Sequence, residues 1–280
     1  MKTIILDHDI GTNPDDFFSL LILLNSEKIH LPLVISGNNF PFERARFAHK
    51  IIYNHGRRDV TVVAGNEAGH IDFFAQKYIE GCEPSIQNDY IKEIKNVLDT
   101  YKNVAYLCIE GVSNLVSFLD TFPIYKDTFD IIHMGLSTTG AKDYISGGTN
   151  METNLSDTKR LYEWELQRMK VVGSHTTIND AIRVHPQTDL YKKIEQSNNV
   201  NHKMLFEHLH DYYSRRGIWP ALHDPLTTSV ALEKSFVDFE ERFIDFKEDG
   251  YYRLGTKTKV TISKQEIREK EFMDFCTVYI

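Results

Sequence analysis

Between positions 7 and 16 the chain reads Asp7-His8-Asp9-Ile10-Gly11-Thr12-Asn13-Pro14-Asp15-Asp16, which places four carboxylates in ten residues. Like charges this close repel and raise each other's pKa unless a cation sits among them. Ligands made of carboxylate oxygens alone suit a hard ion, calcium or magnesium, rather than zinc. The spacing is not that of an EF-hand, whose twelve-residue loop closes on a glutamate. Part of the run has a plainer reading. Asn13 could be a helix N-cap and Pro14 the first helical residue, with Asp15 and Asp16 favouring the positive end of the helix. That reading leaves Asp7 and Asp9, at the end of the preceding apolar run, unexplained.

Carboxylates act together only if secondary structure holds them together. Strand-like apolar runs occur at Thr3–Leu6, Leu31–Ile35, Val60–Val63, Val104–Cys108, Ile131–Met134 and Met169–Val172. Helical periodicity falls between them, around Asp16–Leu24, Phe42–Tyr53, Tyr90–Leu98, Val112–Leu119 and Asp157–Gln167. Continuous β-branched runs alternating with helices predict an α/β protein: a mainly parallel, Rossmann-like open sheet flanked by helices. Ligands of such sheets bind beyond the carboxyl ends of the strands. That rim collects Asp7 and Asp9, Gly37 and Asn38, Gly65, Ile109 and Glu110, and Gly135. The stretch from Asn179 to Tyr212 reads as helical and polar. Val237–Lys247 and Tyr251–Ile262 predict a terminal antiparallel hairpin turning at Glu248-Asp249-Gly250. No repeat or low-complexity linker divides the chain, so residues 1–280 are expected to form a single domain.

The bulk composition narrows the function. With 280 residues, 41% of them hydrophobic, the chain can bury a large core. A net charge of −8 argues against a phosphate-backbone footprint, so no nucleic-acid partner is expected. Cys82, Cys108 and Cys276 have no metal-ligand spacing and suit reduced thiols. The N-terminus lacks a signal-peptide pattern, and no run of about 18 apolar residues marks a membrane span. A cytoplasmic protein with no membrane partner is the expectation.

The opening Asp-x-Asp-x-Gly…Asp-Asp after a strand resembles the signature of the inosine–uridine-preferring nucleoside hydrolase family. Further pieces match in order. Gly37-Asn38 is similar to that family's Gly-Asn after its second strand, Gly111-Val112-Ser113-Asn114-Leu115 to its Gly-Pro-Leu-Thr-Asn segment, and Met134-Gly135 to its Met-Gly-Gly. Glu152-Thr153-Asn154 looks like its Glu-Phe-Asn, and Leu222-His223-Asp224-Pro225-Leu226 like its His-Asp-Pro. These pieces reach from residue 4 to about residue 230, and their ordered combination is more specific than any one of them.

The resemblance implies a nucleoside hydrolase fold and calcium-dependent cleavage of a ribonucleoside N-glycosidic bond, releasing base and ribose for nucleoside salvage. It implies that Asp9 ligates calcium and acts as base toward a water activated by the metal. Asp16, Asp224 and the Ile109 carbonyl would complete the calcium site. Asp15, Asn38, Asn150, Glu152 and Asn154 would hold the ribose, and Asp7 would support the site from behind. It also implies a homo-oligomer, a dimer or tetramer. The sequence departs from the family at three points. Thr12, Asn13 and Pro14 stand where one residue is usual, so the roles of Asp15 and Asp16 can shift. Thr153 replaces an aromatic residue, and Asn150 matches only through an assumed deletion.

Other residues surround these. His223 could contact or protonate the leaving base, since imidazole titrates near neutral pH, or simply fill a pocket wall. His70 could line the base pocket, with Phe73–Glu83 as a mobile lid. Tyr213 and Trp219, clustered with Tyr212, Arg215 and Arg216, could stack on the base and reach its polar edge. The altered loops favour a modified nucleoside. Two alternatives remain. One is a non-catalytic calcium- or ribose-binding protein on the same fold. The other is a metal-dependent phosphatase, disfavoured because the histidines are not spaced for a two-metal site and Ser146-Gly147-Gly148-Thr149 is a weak phosphate loop.

Overall fold

Ile4, Ile5 and Leu6 are consecutive and all fully buried, which only a strand covered on both faces permits. They lie in β1 (Lys2–His8), the pivot of a nine-stranded sheet. The computed structural model describes residues 1–80, 86–139, 145 and 148–280. The other strands are β2 (Ile29–Ser36), β3 (Thr61–Ala64), β4 (Val104–Cys108), β5 (Asp130–Met134), β6 (Met169–Val172), β7 (Val237–Phe246), β8 (Tyr252–Leu254) and β9 (Thr258–Ile267). Their spatial order is β3-β2-β1-β4-β5-β6-β9-β7-β8. The pairs from β3 through β6 are parallel, and β7 runs antiparallel to both β8 and β9.

Side-chain alternation divides the core into two layers. Ile4 and Leu6 of β1, with Ala105 and Leu107 of β4, face a cluster shared with the helices Asp15–Leu24, Pro41–Asn54, Val200–Arg216 and His223–Ala231. Ile5, Tyr106 and Cys108 face the opposite cluster with the helices Tyr90–Thr100, Ser113–Thr121 and Leu155–Glu163. All residues of Asp15–Leu24 are buried, because the helix is enclosed between the sheet and further helices. This is the expected mainly parallel α/β sheet, and Val104–Cys108 and Met169–Val172 fall where the sequence put them.

Topology explains where a ligand can sit. The chain runs from β1 to β2 and β3 on one side, then returns to place β4 against the other side of β1. Loops leaving the carboxyl ends of β1 and β4 therefore diverge and open a crevice between them.

The expected terminal hairpin is present, with its turn at Glu248–Gly250 and Gly250 at φ +87°, but it has three strands. The arm expected at Tyr251–Ile262 is broken after Leu254, where the chain folds around the Asp245 carboxylate. That carboxylate accepts hydrogen bonds from the Thr256 and Lys257 amides at 2.8 and 3.0 Å. After this turn the chain re-enters as β9, between β7 and β6. A last helix, Glu269–Tyr279, escaped the sequence reading; it buries Phe272, Phe275 and Cys276. Among the described residues no helix is long and apolar enough to cross a membrane. Cys108 and Cys276 are free and buried; Cys82 lies outside the described residues, as do Ser146 and Gly147.

The helix Pro41–Asn54 is tied to the core by Phe47, which is fully buried, stacked on Tyr78 at 5.4 Å and edge-on to Phe17 at 5.5 Å. Phe47→Ala is expected to destabilise the protein by about 3–5 kcal/mol in urea denaturation. A loss under about 1 kcal/mol would contradict this packing.

Candidate active site

Two helix N-termini converge above the crevice. Asp15 and Asp16 open the helix Asp15–Leu24, and Asp224 lies in the first turn of His223–Ala231. The two helices pack against each other, which brings an aspartate from late in the chain onto the pair near its start. Oxygens of Asp15, Asp16 and Asp224 all lie within 4.8 Å of one another. Each helix start carries partial positive charge that favours a carboxylate, yet all three are at most 5% exposed. Burial, then mutual repulsion, drives their pKa values up. Asp15 rises to about 7, through burial and the Asp9 charge. Asp16 and Asp224 stand well above the usual carboxylate range for the same reasons. Asp15 Oδ1 is buried with no hydrogen-bond partner. Three crowded buried carboxylates with an orphaned oxygen fit a hard divalent cation, which would replace the missing donors.

Asp9 stands beside this trio rather than within it. Its backbone N–H donates to Asp16 Oδ1 at 3.2 Å, and its Oδ2 accepts from Asn38 Nδ2 at 3.0 Å. Burial raises its pKa, while Arg44 and the Asn38 bond pull it back. Asn38 reaches Asp9 from a left-handed turn, with φ +63°. The helix begins at Asp15 with Pro14 at the boundary, and Asn13 makes no cap; its Oδ1 is a second buried orphan. The longer turn brings the Asp15 carboxylate within reach of Asp16 and Asp224, at the position for which the family resemblance implied a ribose contact.

Beneath the trio lies a polar layer. Asp7 is fully buried and accepts hydrogen bonds from the Tyr106 hydroxyl at 2.6 Å and from Asn114 Nδ2 at 2.9 Å. Its pKa rises to about 6 through burial, held there by these donors. Glu110 turns away from the crevice and accepts from Asn114 at 2.8 Å. Its carboxyl occupies the space a Cβ at Gly37 would need, 2.1 Å away. Burial, then the Asp7 charge, pushes the Glu110 pKa well above the ordinary carboxylate range. His8 is equally buried, shares a hydrogen bond with the Ser36 hydroxyl at 3.1 Å, and is held neutral with a pKa near 3 by burial and the Arg44 charge.

Above the carboxylates opens a pocket of about 700 Å³. Asp9, Asp15, Asp16 and Asp224 line it together with Ile109, Asn150, Glu152, His70 and His223. Most of the residues named from sequence are therefore gathered in one cavity. Asn150 donates to the carbonyls of Ile109 and Met134, both at 3.1 Å, so the Ile109 carbonyl already carries one hydrogen bond. His223 Nδ1 shares a hydrogen bond with the Thr177 hydroxyl at 2.8 Å, and burial with the Arg183 charge lowers its pKa to about 4.

Asn38, expected at the ribose, is turned onto Asp9 and does not line the pocket, and three more residues named from sequence stand elsewhere. Asn154 caps the helix Leu155–Glu163 by accepting from the Asp157 amide at 3.1 Å, and it is not among the pocket-lining residues. Tyr213 stacks on Trp219 at 4.3 Å, 42% exposed, and neither lines the cavity. Tyr212 and Arg216 take their place there. They are four residues apart and share one face of the helix, while Tyr213 is rotated about 100° from Tyr212. The expected lid is packed where described: Phe74 donates to the Gly11 carbonyl at 2.7 Å, and Ala75, Tyr78 and Ile79 are buried. Glu83 lies outside the described residues. The sequence reading also missed Arg44, fully buried behind Asp9. The signal was present, since Arg44 interrupts the buried stripe of Pro41, Ala45, Phe47, Ala48, Ile51 and Ile52.

No protein-family model and no curated protein matches the sequence. Solved structures do. A purine-preferring ribonucleoside hydrolase from Gardnerella vaginalis superposes with a TM-score of 0.79 at 19% identity, over 99% of this chain and 98% of that one. A plant nucleoside hydrolase gives 0.78 at 15% identity, over 99% and 98%. An inosine–uridine-preferring nucleoside hydrolase from Bacillus anthracis gives 0.77 at 15% identity, over 100% and 99%. The chain thus has the nucleoside hydrolase fold from end to end.

The raised carboxylates set the pH dependence of stability. Without a cation, the stability associated with Asp15 is fully present below the ordinary value of 3.8 and is lost as pH rises through about 7. A bound divalent cation offsets that loss. The rise in Tm on adding calcium is therefore expected to grow between pH 5 and pH 8 and to shrink in Asp224→Asn. A calcium effect independent of pH would contradict this account of the cluster.

Proposed function

We propose that the protein hydrolyses the N-glycosidic bond of a ribonucleoside, releasing base and ribose, with a divalent cation, calcium, held by Asp15, Asp16 and Asp224. The observation that carries the proposal is the buried carboxylate trio beside Asp9, at the floor of a pocket on this fold. Similarity in fold to three nucleoside hydrolases supports it. Calcium suits the site because it accepts many carboxylate and carbonyl oxygens in irregular geometry. When bound, the cation supplies positive charge that acidifies nearby water and orients it.

The chain's own groups do the rest. Asp9 is fixed through Oδ2 by Asn38, leaving Oδ1 to accept a proton from the attacking water. Glu152 and Asn150, at the cavity wall, hold ribose hydroxyls and fix the angle of approach. As the base departs, positive charge develops on the ribose, and the surrounding carboxylates stabilise it. His223 stands at the opposite wall. In the tautomer in which the Thr177 hydroxyl donates to Nδ1, the ring carries its proton on Nε2 and can offer the departing base a hydrogen bond. Tyr212 and Arg216 form the wall that faces the base. The cavity falls within the range typical of small-molecule sites, about 300–1,000 Å³, and leaves room for a modified base. The protein acts in nucleoside salvage, in the cytoplasm and as a homo-oligomer.

The test is release of free base and ribose from a panel of common and modified nucleosides, with calcium and with chelator. Release abolished by chelator and restored by calcium is expected. Asp9→Asn should keep the fold and lower kcat by about 10²–10⁴-fold. Calcium binding without release from any nucleoside would replace this reading with a binding role.

A further inference from the structure

Arg44 is the largest fully buried side chain among the described residues. No carboxylate pairs with it among the described residues. Its five N–H donors go instead to five backbone carbonyls. Nε donates to Asn39 at 2.7 Å. Nη1 donates to Asp9 and, at 3.0 Å, to Ile10. Nη2 donates to Ile71 at 3.0 Å and to Asp72 at 3.1 Å. Three loops are thereby joined at one guanidinium: the turn carrying Asp9, the turn after β2, and the segment Ile71–Asp72 that walls the pocket.

The residues that lengthen the first turn take part. The Thr12 hydroxyl donates to the Asp72 carbonyl and accepts from Arg44 Nη1 at 3.3 Å. Phe74 donates to the Gly11 carbonyl at 2.7 Å. Gly11, at φ +111°, has no room for a Cβ, which would lie 2.3 Å from the Phe73 ring. The Phe73 ring in turn lies 5.6 Å from the guanidinium carbon.

We propose that Arg44 is a positioning residue for the hydrolytic step: its guanidinium locks the Asp9 turn to the Ile71–Asp72 wall, so that base and pocket wall hold one geometry. The proposal rests on the hydrolase reading above. A planar fork with five fixed donors is required, because an ammonium offers three from a single point. The Asp9 and Ile10 carbonyls are buried and would be costly to leave without a donor, and losing the fork also unties the part-buried Ile71 and Asp72 carbonyls. A displacement of Asp9 of about 1 Å is sufficient to lower turnover by about 10²-fold.

The test compares wild type with Arg44→Lys and Arg44→Ala, well below each variant's melting temperature, by turnover and by amide hydrogen exchange. Arg44→Lys is expected to lower kcat by about 10–100-fold, with a smaller change in KM. Amides of residues 9–12 and 71–74 should lose protection together. Free guanidinium ion should restore both kcat and protection in Arg44→Ala. Wild-type kcat in folded Arg44→Lys would overturn the proposal, as would deprotection confined to residues 71–74. If wild type cleaves no nucleoside, the hydrolase reading fails separately, and joint loss of protection in both segments still supports the clamp.

Discussion

The burial of like charge governs this structure. Asp9, Asp15, Asp16 and Asp224 are nearly inaccessible to water and stand close enough to raise one another's pKa. Ionised carboxylates in such a place are unfavourable without compensation. The fold offers partial compensation from two helix N-termini, from the Asn38 amide on Asp9 and from the uncompensated charge of Arg44 behind the turn. What remains is a deficit of positive charge at one point, and a divalent cation has the charge and the oxygen preference to meet it. The arrangement has purpose at the one place in the sheet where loops diverge, because a ligand can reach it there.

The layer beneath shows how such a site is held still. Tyr106 and Asn114 donate to Asp7, and Asn114 also donates to Glu110 Oε1, whose carboxyl rests against the backbone of Gly37. Buried polar networks rigidify when their members are paired. Here the network joins the carboxyl end of β1, the turn after β4 and the first helix beyond it. Arg44 does the equivalent work on the opposite face, where it ties three loops through their carbonyls. The Asp9 turn is thus braced from both sides of the sheet, and its geometry depends on neither face alone.

The pocket walls belong to a different part of the fold. Tyr212 and Arg216 come from the long helix Val200–Arg216, and His223 opens the next helix, against Thr177 in the short helix Ser174–Thr177 that follows β6. His223 shares its helix with Asp224, however, so the wall and the carboxylate floor are built partly from one element. The stack of Tyr213 on Trp219 lies outside the cavity and steadies the chain between those two helices.

The sequence alone determined the alternation of strands and helices, and with it the rim where Asp9, Asn38 and Ile109 gather. Periodicity is a local property, and strand ends in a parallel sheet share one edge by construction. It also exposed the aspartate run, because four carboxylates in ten residues stand out without any structure. Only the tertiary structure decided which carboxylates converge. Asp224 joins Asp15 and Asp16 because two helices pack against each other; in the sequence that neighbour was implied only by the family resemblance of the His223-Asp224-Pro225 piece, since periodicity carries no such information. Likewise Asn154 became a cap and Tyr212, not Tyr213, faced the pocket, because a rotation of one residue about a helix reverses what a side chain meets. Arg44 was legible only as a charge in an apolar stripe. Its five carbonyl acceptors come from three separate loops, and such a meeting point exists only once the chain has folded.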